Sequence, residues 1–239
     1  MEIFKFMVPE IIFGRGTLNL IGESARRLGA TRVFLVSDRG VLNAGWIDQA
    51  VKFLKDVGLE YNVWTEPTEN PKDFEVDHGK ELYLKAGCDA VVAVGGGSAI
   101  DAAKAVAILA TNGGKIHDYK GVDKIAKPLP PLICVATTAG AAAEVTQFTI
   151  VVDTQRKVKM TIGSKSLVPD IAIIDPILLS TKDARLTANT GIDALTHAIE
   201  AYVSVAATPI TDINALRAIS MVNTSLRGSV ASRTNIEVK

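Results

Sequence analysis

Four short segments carry residue types able to do chemistry. In Val94-Gly95-Gly96-Gly97-Ser98-Ala99-Ile100-Asp101, an apolar run leads into three glycines and then a helix-like stretch. Glycines let a backbone approach a ligand closely, and a helix N-terminus offers unpaired N–H groups and a positive dipole end. That combination suits a pyrophosphate. It also suits a plain strand-to-helix turn, with Ser98 and Asp101 as a capping box. Ile100 occupies the last glycine position of a G-x-G-x-x-G fingerprint, so the common Rossmann signature is missing. Asp38 closes the apolar run Arg32–Ser37. A carboxylate there can accept from a ribose 2′-hydroxyl and repel a 2′-phosphate, which favours NAD over NADP; taken alone it reads more simply as an ordinary turn residue. It precedes the glycine loop, whereas the Rossmann acid follows by about 20 residues. Thr137-Thr138-Ala139-Gly140 places two hydroxyls after another apolar run. Asp193 and His197 stand at i and i+4, one carboxylate and one imidazole on a single helical face, which is half of a divalent-metal site. Thr190 and Asp193 also spell a helix cap.

Positioning these groups requires buried strands with helices between them. Arg32–Ser37, Ala90–Val94 and Leu132–Ala136 are continuous apolar runs bounded by turn residues, the pattern of strands buried on both faces of a parallel sheet. Amphipathic stretches at Ile21–Leu28, Asp48–Val57, Phe74–Ala86 and Ile100–Leu109 alternate with them. The alternation predicts an α/β layered domain. Tyr61–Trp64 is a further strand, followed by the polar loop Glu66–Pro71. Gln147–Val152 and Val158–Ile162 flank a turn and predict a hairpin, and Ala172–Asp175 predicts a last short strand. From about Thr187 the pattern is helical. Thr190 is expected to cap a helix to about Val203, and Thr208-Pro209 to open another to about Leu226. Two domains are therefore expected: residues 1–180 as an α/β dinucleotide-binding domain and 181–239 as part of an all-helical one.

Composition narrows the function classes. The 239 residues carry 26 basic and 26 acidic side chains, a balance that gives no electrostatic case for nucleic acid or an anionic membrane. No apolar run approaches the ~18 residues of a membrane span. The segment Met1–Met7 lacks the apolar core and cleavage site of a secretory signal, so a cytoplasmic protein is expected. Cys88 and Cys134 form no metal-type or redox pair and are expected to be buried, inert thiols. His78 and His117 have no ligand-spaced neighbours in sequence and are expected on surface helices.

In order, Gly95-Gly-Gly-Ser-x-x-Asp101, Thr137-Thr-Ala-Gly-x-x-x-Glu144-Val-Thr146 and Thr190-Gly-x-Asp193-Ala-Leu-Thr-His197-Ala-x-Glu200 resemble the iron-containing (group III) alcohol dehydrogenases. The likeness runs from Phe13-Gly14-x-Gly16 onward. Within the family, Leu226–Ala231 and the run at 142–145 are most like the lactaldehyde reductase (propanediol oxidoreductase) branch. The resemblance implies a dehydroquinate-synthase-like fold, an N-terminal α/β nucleotide domain followed by an all-helical one. It implies NAD, with Asp38 selecting it, Asn70 touching it, and Gly96, Gly97, Ser98 and Asp101 at its pyrophosphate. Thr137, Thr138 and Thr146 would line its cleft and Lys159 would reach its ribose. Asp193 and His197 would be two of four ligands to Fe²⁺ (or Zn²⁺), with His197 catalytic. The implied reaction moves a hydride between NAD(H) and a small primary alcohol or aldehyde, lactaldehyde- or propanediol-like, in a homodimer. A cofactor-binding module without catalysis, or a lyase on the same fold, are the other readings. Ala141 stands where the family's loop usually carries Thr, which removes a potential phosphate contact. No histidine follows His197 in this sequence, so the family's two further histidine ligands are missing and weak metal retention is expected.

Overall fold

β2 (Arg32–Val36), β4 (Ala90–Gly95), β6 (Leu132–Ala136) and β9 (Ile171–Ile174) are nearly pure apolar runs, and all lie inside one parallel sheet. β1 (Glu10–Phe13) and β3 (Glu60–Trp64), more polar or more exposed, form its two edges. The order is β1-β9-β6-β4-β2-β3, with every pair parallel. Alternate residues of the central strands serve opposite faces. Phe34, Val36, Val91, Ala93, Leu132 and Cys134 are buried in one cluster with residues of α4 (Asp73–Ala86) and α5 (Gly97–Asn112). Val33, Leu35, Val92, Val94, Ile133 and Val135 are equally buried on the other side. There α1 (Ile21–Arg27) and α3 (Trp46–Asp56) contribute Ile21, Ala25, Ile47, Ala50 and Leu54. The short α2 (Arg39–Asn43) follows β2. A second, three-stranded sheet has the order β5 (Gly121–Val122), β8 (Val158–Gly163), β7 (Phe148–Asp153), with β7 and β8 antiparallel as the predicted hairpin.

The chain is seen as a computed structural model that describes residues 7–232. Most of the Met1–Met7 segment considered above therefore lies outside the described residues. The chain divides into two compact units. One comprises Val8–Thr137 and Ala143–Asp175 and holds both sheets. The other includes Thr138–Ala142 and the described residues from Pro176 on. In it, α6 (Ala184–Val203) and α7 (Pro209–Ala231) pack closely: a Cβ added at Gly191 would lie 2.2 Å from Leu226 Cδ1.

Several local expectations need correction. α6 starts at Ala184, not Thr190; Asp183 is its cap and accepts from Leu186 N at 2.7 Å. Thr190 lies inside the helix and donates to Leu186 O at 2.9 Å. Thr208 and Pro209 do open α7, but it continues to Ala231. Ser98 is not a helix cap, because α5 begins one residue earlier at Gly97, with Gly96 at the cap position. Asp38 is not only a turn residue; it caps α2 and accepts from Val41 N at 2.9 Å. β1 was not expected at all. It is four residues long and three of them are exposed, so its burial leaves little pattern in the sequence.

Candidate functional site

The sheet turns direction between β2 and β4: β3 lies outward of β2, and the later strands β6 and β9 follow on the other side of β4. In open α/β sheets, ligands sit at the carboxyl ends of the strands at such a switch point. Three neighbouring strands deliver their predicted residues there. β2 ends at Ser37 and Asp38, β4 at Gly95–Gly97, and β6 at Thr137. Backbone and side-chain bonds lock these ends together. Ser37 Oγ donates to Val94 O at 2.6 Å, and Thr137 N donates to Gly95 O at 3.0 Å. Gly95 has no room for a side chain: an added Cβ would lie 2.5 Å from Ala99 Cβ and 3.5 Å from Asp38 Oδ2. Asp38 is thereby held beside the glycine loop.

The first turn of α5 has no side-chain cap. Such an uncapped helix N-terminus is the arrangement that binds phosphate groups. Ser98 Oγ accepts from Asn70 N at 3.1 Å, so the structure brings Asn70 and Ser98 together, with Asn70 in the left-handed region at φ 52°. Thr137 Oγ1 is buried with no hydrogen-bond partner among the described residues. A buried hydroxyl without a partner costs free energy unless something else meets it. These observations fit a nucleotide's pyrophosphate and sugar hydroxyls.

Behind the glycine turn lies a buried charged cluster. Lys104 is fully buried in α5, and its Nζ donates to Ala143 O (2.7 Å), Thr146 O (2.7 Å), Phe148 O (3.1 Å) and Thr146 Oγ1 (3.3 Å). It ties the segment carrying Thr146 to α5. Thr149 Oγ1 adds a bond of 2.8 Å to Asp101 O. Burial pushes the Asp101 carboxyl up to about 7, while Lys104 and, further down the order, Lys159 pull the other way. Burial likewise raises Glu144 and lowers Lys104. Lys159, on the exposed face of β8, is thus electrostatically coupled to Asp101. Sequence reasoning passed over Lys104, although one cation inside the run Ala102–Leu109 was a readable signal.

Thr138 belongs to the other unit, in the loop 138–142, where Ala142 has φ 52°. In that unit α6 presents Asp193 and His197 on one face. Asp193 Oδ1 lies 3.7 Å from His197 Nε2, and the two side chains are 48% and 51% exposed. Donor bonds of about 2.1 Å to a tetrahedral ion place donors about 3.4 Å apart, so this pair fits a divalent cation. The 138–142 loop runs tightly against them. A Cβ on Gly140 would lie 2.9 Å from Thr190 O and 3.1 Å from Asp193 Oδ2.

The cysteine expectation holds: both are buried and free, and burial pushes Cys88 to about 11 and Cys134 to about 12. His78 is exposed on α4. His117 is not a surface-helix residue without partners; it lies 3.2 Å from Asp73 Oδ2 and 3.6 Å from Asp153 Oδ2. Those carboxylates are far from it in sequence, so spacing could not reveal them. No helix among the described residues is long and apolar enough to cross a membrane.

Comparison with known proteins agrees with this architecture. Residues 9–176 match the model of the iron-containing alcohol dehydrogenases, and 187–239 match the model of that family's C-terminal part. The chain belongs to the iron-containing alcohol dehydrogenase family, with its dehydroquinate-synthase-like α/β fold. Relatives include an NAD-dependent methanol dehydrogenase of Bacillus methanolicus, 38% identical over 98% of this chain and 61% of that protein. A 1,3-propanediol dehydrogenase of Citrobacter freundii is 40% identical over 100% of this chain and 62% of its own length. A crystal structure of 1,3-propanediol oxidoreductase superposes with a TM-score of 0.97 at 39% identity, covering 99% of this chain and 62% of that one. The chain thus spans about three-fifths of the length of the curated relatives it matches.

Proposed function

We propose that this chain carries the cofactor site, and two metal ligands, of an oxidoreductase that moves a hydride between NAD(H) and a small primary alcohol or aldehyde. The observation that carries the reading is the convergence of Asp38, the uncapped Gly97 turn of α5 and the unpartnered Thr137 hydroxyl at adjacent strand ends. When bound, NAD⁺ would supply the hydride acceptor and a divalent ion (iron, or zinc) Lewis acidity toward an alcohol oxygen. The chain's own residues bind and orient. The α5 amides and Ser98 hold the pyrophosphate, with Asn70 fixed on Ser98. Asp38 accepts from the adenine ribose and rejects a 2′-phosphate. Thr137 and Thr146, and from the other unit Thr138, offer hydroxyls to the cofactor. Lys159 donates toward a ribose hydroxyl. Asp101 holds or releases a proton near neutrality. Asp193 and His197 hold the metal, with His197 at the reacting centre.

The relatives act, by name, on methanol and 1,3-propanediol, which supports a short alcohol or diol, including a lactaldehyde/propanediol pair, as substrate. A homodimer in the cytoplasm completes the reading. The test is a fluorescence titration with NADH, followed by NAD⁺-dependent oxidation of short diols with and without added Fe²⁺. Saturable NADH binding and metal-stimulated turnover are expected. No NADH binding would refute the cofactor site, and metal-independent turnover would refute the role of Asp193 and His197.

A further inference from the structure

In the sheet-bearing unit, three sequence-distant ligand-type side chains meet. The backbone bridge between Lys72 and Val152 puts the next residues, Asp73 at the start of α4 and Asp153 at the end of β7, side by side. The 3-10 turn Ile116–Tyr119 brings His117 over both. The donor atoms of the three residues all lie within 4.8 Å of one another. Asp73 and Asp153 are 7% and 2% exposed. Other groups fix their carboxylates, and Asp73 Oδ2 itself accepts from Thr154 N at 3.2 Å. Asp73 Oδ1 accepts from Thr154 Oγ1 at 2.8 Å, and Asp153 Oδ1 accepts from Gln155 N and Arg156 N at 3.0 and 2.9 Å. Asp153 Oδ2 is different. Its nearest cationic or donor groups are His117 Nε2 at 3.6 Å and Arg156 Nε at 3.8 Å, both beyond hydrogen-bond length.

We propose that Asp73 Oδ2, His117 Nε2 and Asp153 Oδ2 form a divalent-cation site of the zinc type, in the sheet-bearing unit and independent of the Asp193/His197 pair. Zinc bonds of about 2.0–2.2 Å in a tetrahedron set donor spacings of about 3.4 Å. The observed 3.2 and 3.6 Å bracket that value. A shared proton on His117 cannot do the same work, since one N–H serves one acceptor well. Two carboxylates and an imidazole balance a dication's charge, and the bonds to their outer oxygens are the orienting contacts metal ligands need. The His117 side chain is 35% exposed, which leaves an entry path and room for water as a fourth ligand. The bound ion would join α4, the 116–119 turn and the β7–β8 hairpin as a structural clasp.

The test uses the full chain carrying Asp193→Asn and His197→Gln, stripped with chelator and titrated with Zn²⁺ by calorimetry. A tryptophan-fluorescence melt runs alongside, since Trp46 and Trp64 both lie in the sheet-bearing unit. About one equivalent of Zn²⁺ is expected to bind and to raise the melting temperature. Adding His117→Gln or Asp153→Asn should weaken binding at least roughly tenfold. The His117→Gln protein should melt in chelator as its parent does, which separates ligand loss from misfolding. No saturable binding, or equal binding in both added variants, would overturn the proposal.

Discussion

Replacing Lys104 by Met keeps the length and apolar stem of the side chain but deletes its charge. Three carbonyls, of Ala143, Thr146 and Phe148, lose the ammonium as donor, Ala143 O and Phe148 O keeping only long bonds of 3.4 Å from Thr146, and Asp101 and Glu144 lose a nearby cation. Each buried acceptor left unmet costs about 1–3 kcal/mol. Against this, the variant no longer desolvates an ammonium, and the thioether packs well. Removing one partner from a buried charged network costs about 3–5 kcal/mol net, and that is the loss expected here. It is a large share of the about 5–15 kcal/mol that holds a domain together. The assay is urea unfolding followed by tryptophan fluorescence, which reports the sheet-bearing unit through Trp46 and Trp64. A midpoint shift worth less than about 1 kcal/mol would refute the view that Lys104 anchors the 143–148 segment. The variant should also weaken NADH binding, because Lys104 holds Thr146 through both its carbonyl and its hydroxyl.

Other perturbations probe separate parts of the account. Asp101 titrates near 7 when folded and near 3.8 when free, so the unfolded chain releases its proton first. Its contribution to stability is therefore greatest at acid pH and declines from about pH 4 to pH 7; Asp101→Asn should flatten the stability profile across that window. Gly22→Ala would normally favour a helix, but its Cβ would lie 2.3 Å from the carbonyl oxygen of Phe53. A loss of about 2–3 kcal/mol is expected in urea unfolding, and a neutral or stabilising result would contradict the α1–α3 packing. Asp183→Ala should cost about 1 kcal/mol by removing the α6 cap. Thr190→Ala should cost little, and the reverse ranking by circular dichroism melts would restore Thr190 as the helix start.

The fully buried strands were legible because continuous apolar runs bounded by glycine or polar turns have few alternatives. Leu132–Ala136 is found at the boundaries its sequence predicts. The glycine turn was legible for a related reason: three glycines between a buried strand and a helix need a close approach, and Gly95 makes one against Ala99. What stayed hidden depends on distance in sequence. Asp73, His117 and Asp153 come from three separate elements, and only the Lys72–Val152 bridge aligns two of them. The caps were misplaced because Ser98 and Thr190 each match a local capping pattern. Helix α6 instead begins about two turns earlier, capped by Asp183, and α5 starts on Gly97 itself. Lys104 was overlooked because an apolar run is usually read for its apolar residues, while its one cation is what fixes the neighbouring segment.

The central claim is that the ends of β2, β4 and β6 form an NAD site with Asp38 as its selector. Calorimetric titration of NADH and NADPH into the wild-type chain and into Asp38→Gly tests it most directly. The wild type is predicted to prefer NADH by roughly tenfold or more, about 1.4 kcal/mol, because a 2′-phosphate would meet the Asp38 carboxylate. The Asp38→Gly variant should lose most of that preference while still binding NADH. Equal affinity for the two dinucleotides in the wild type, or an unchanged preference in the variant, would contradict it.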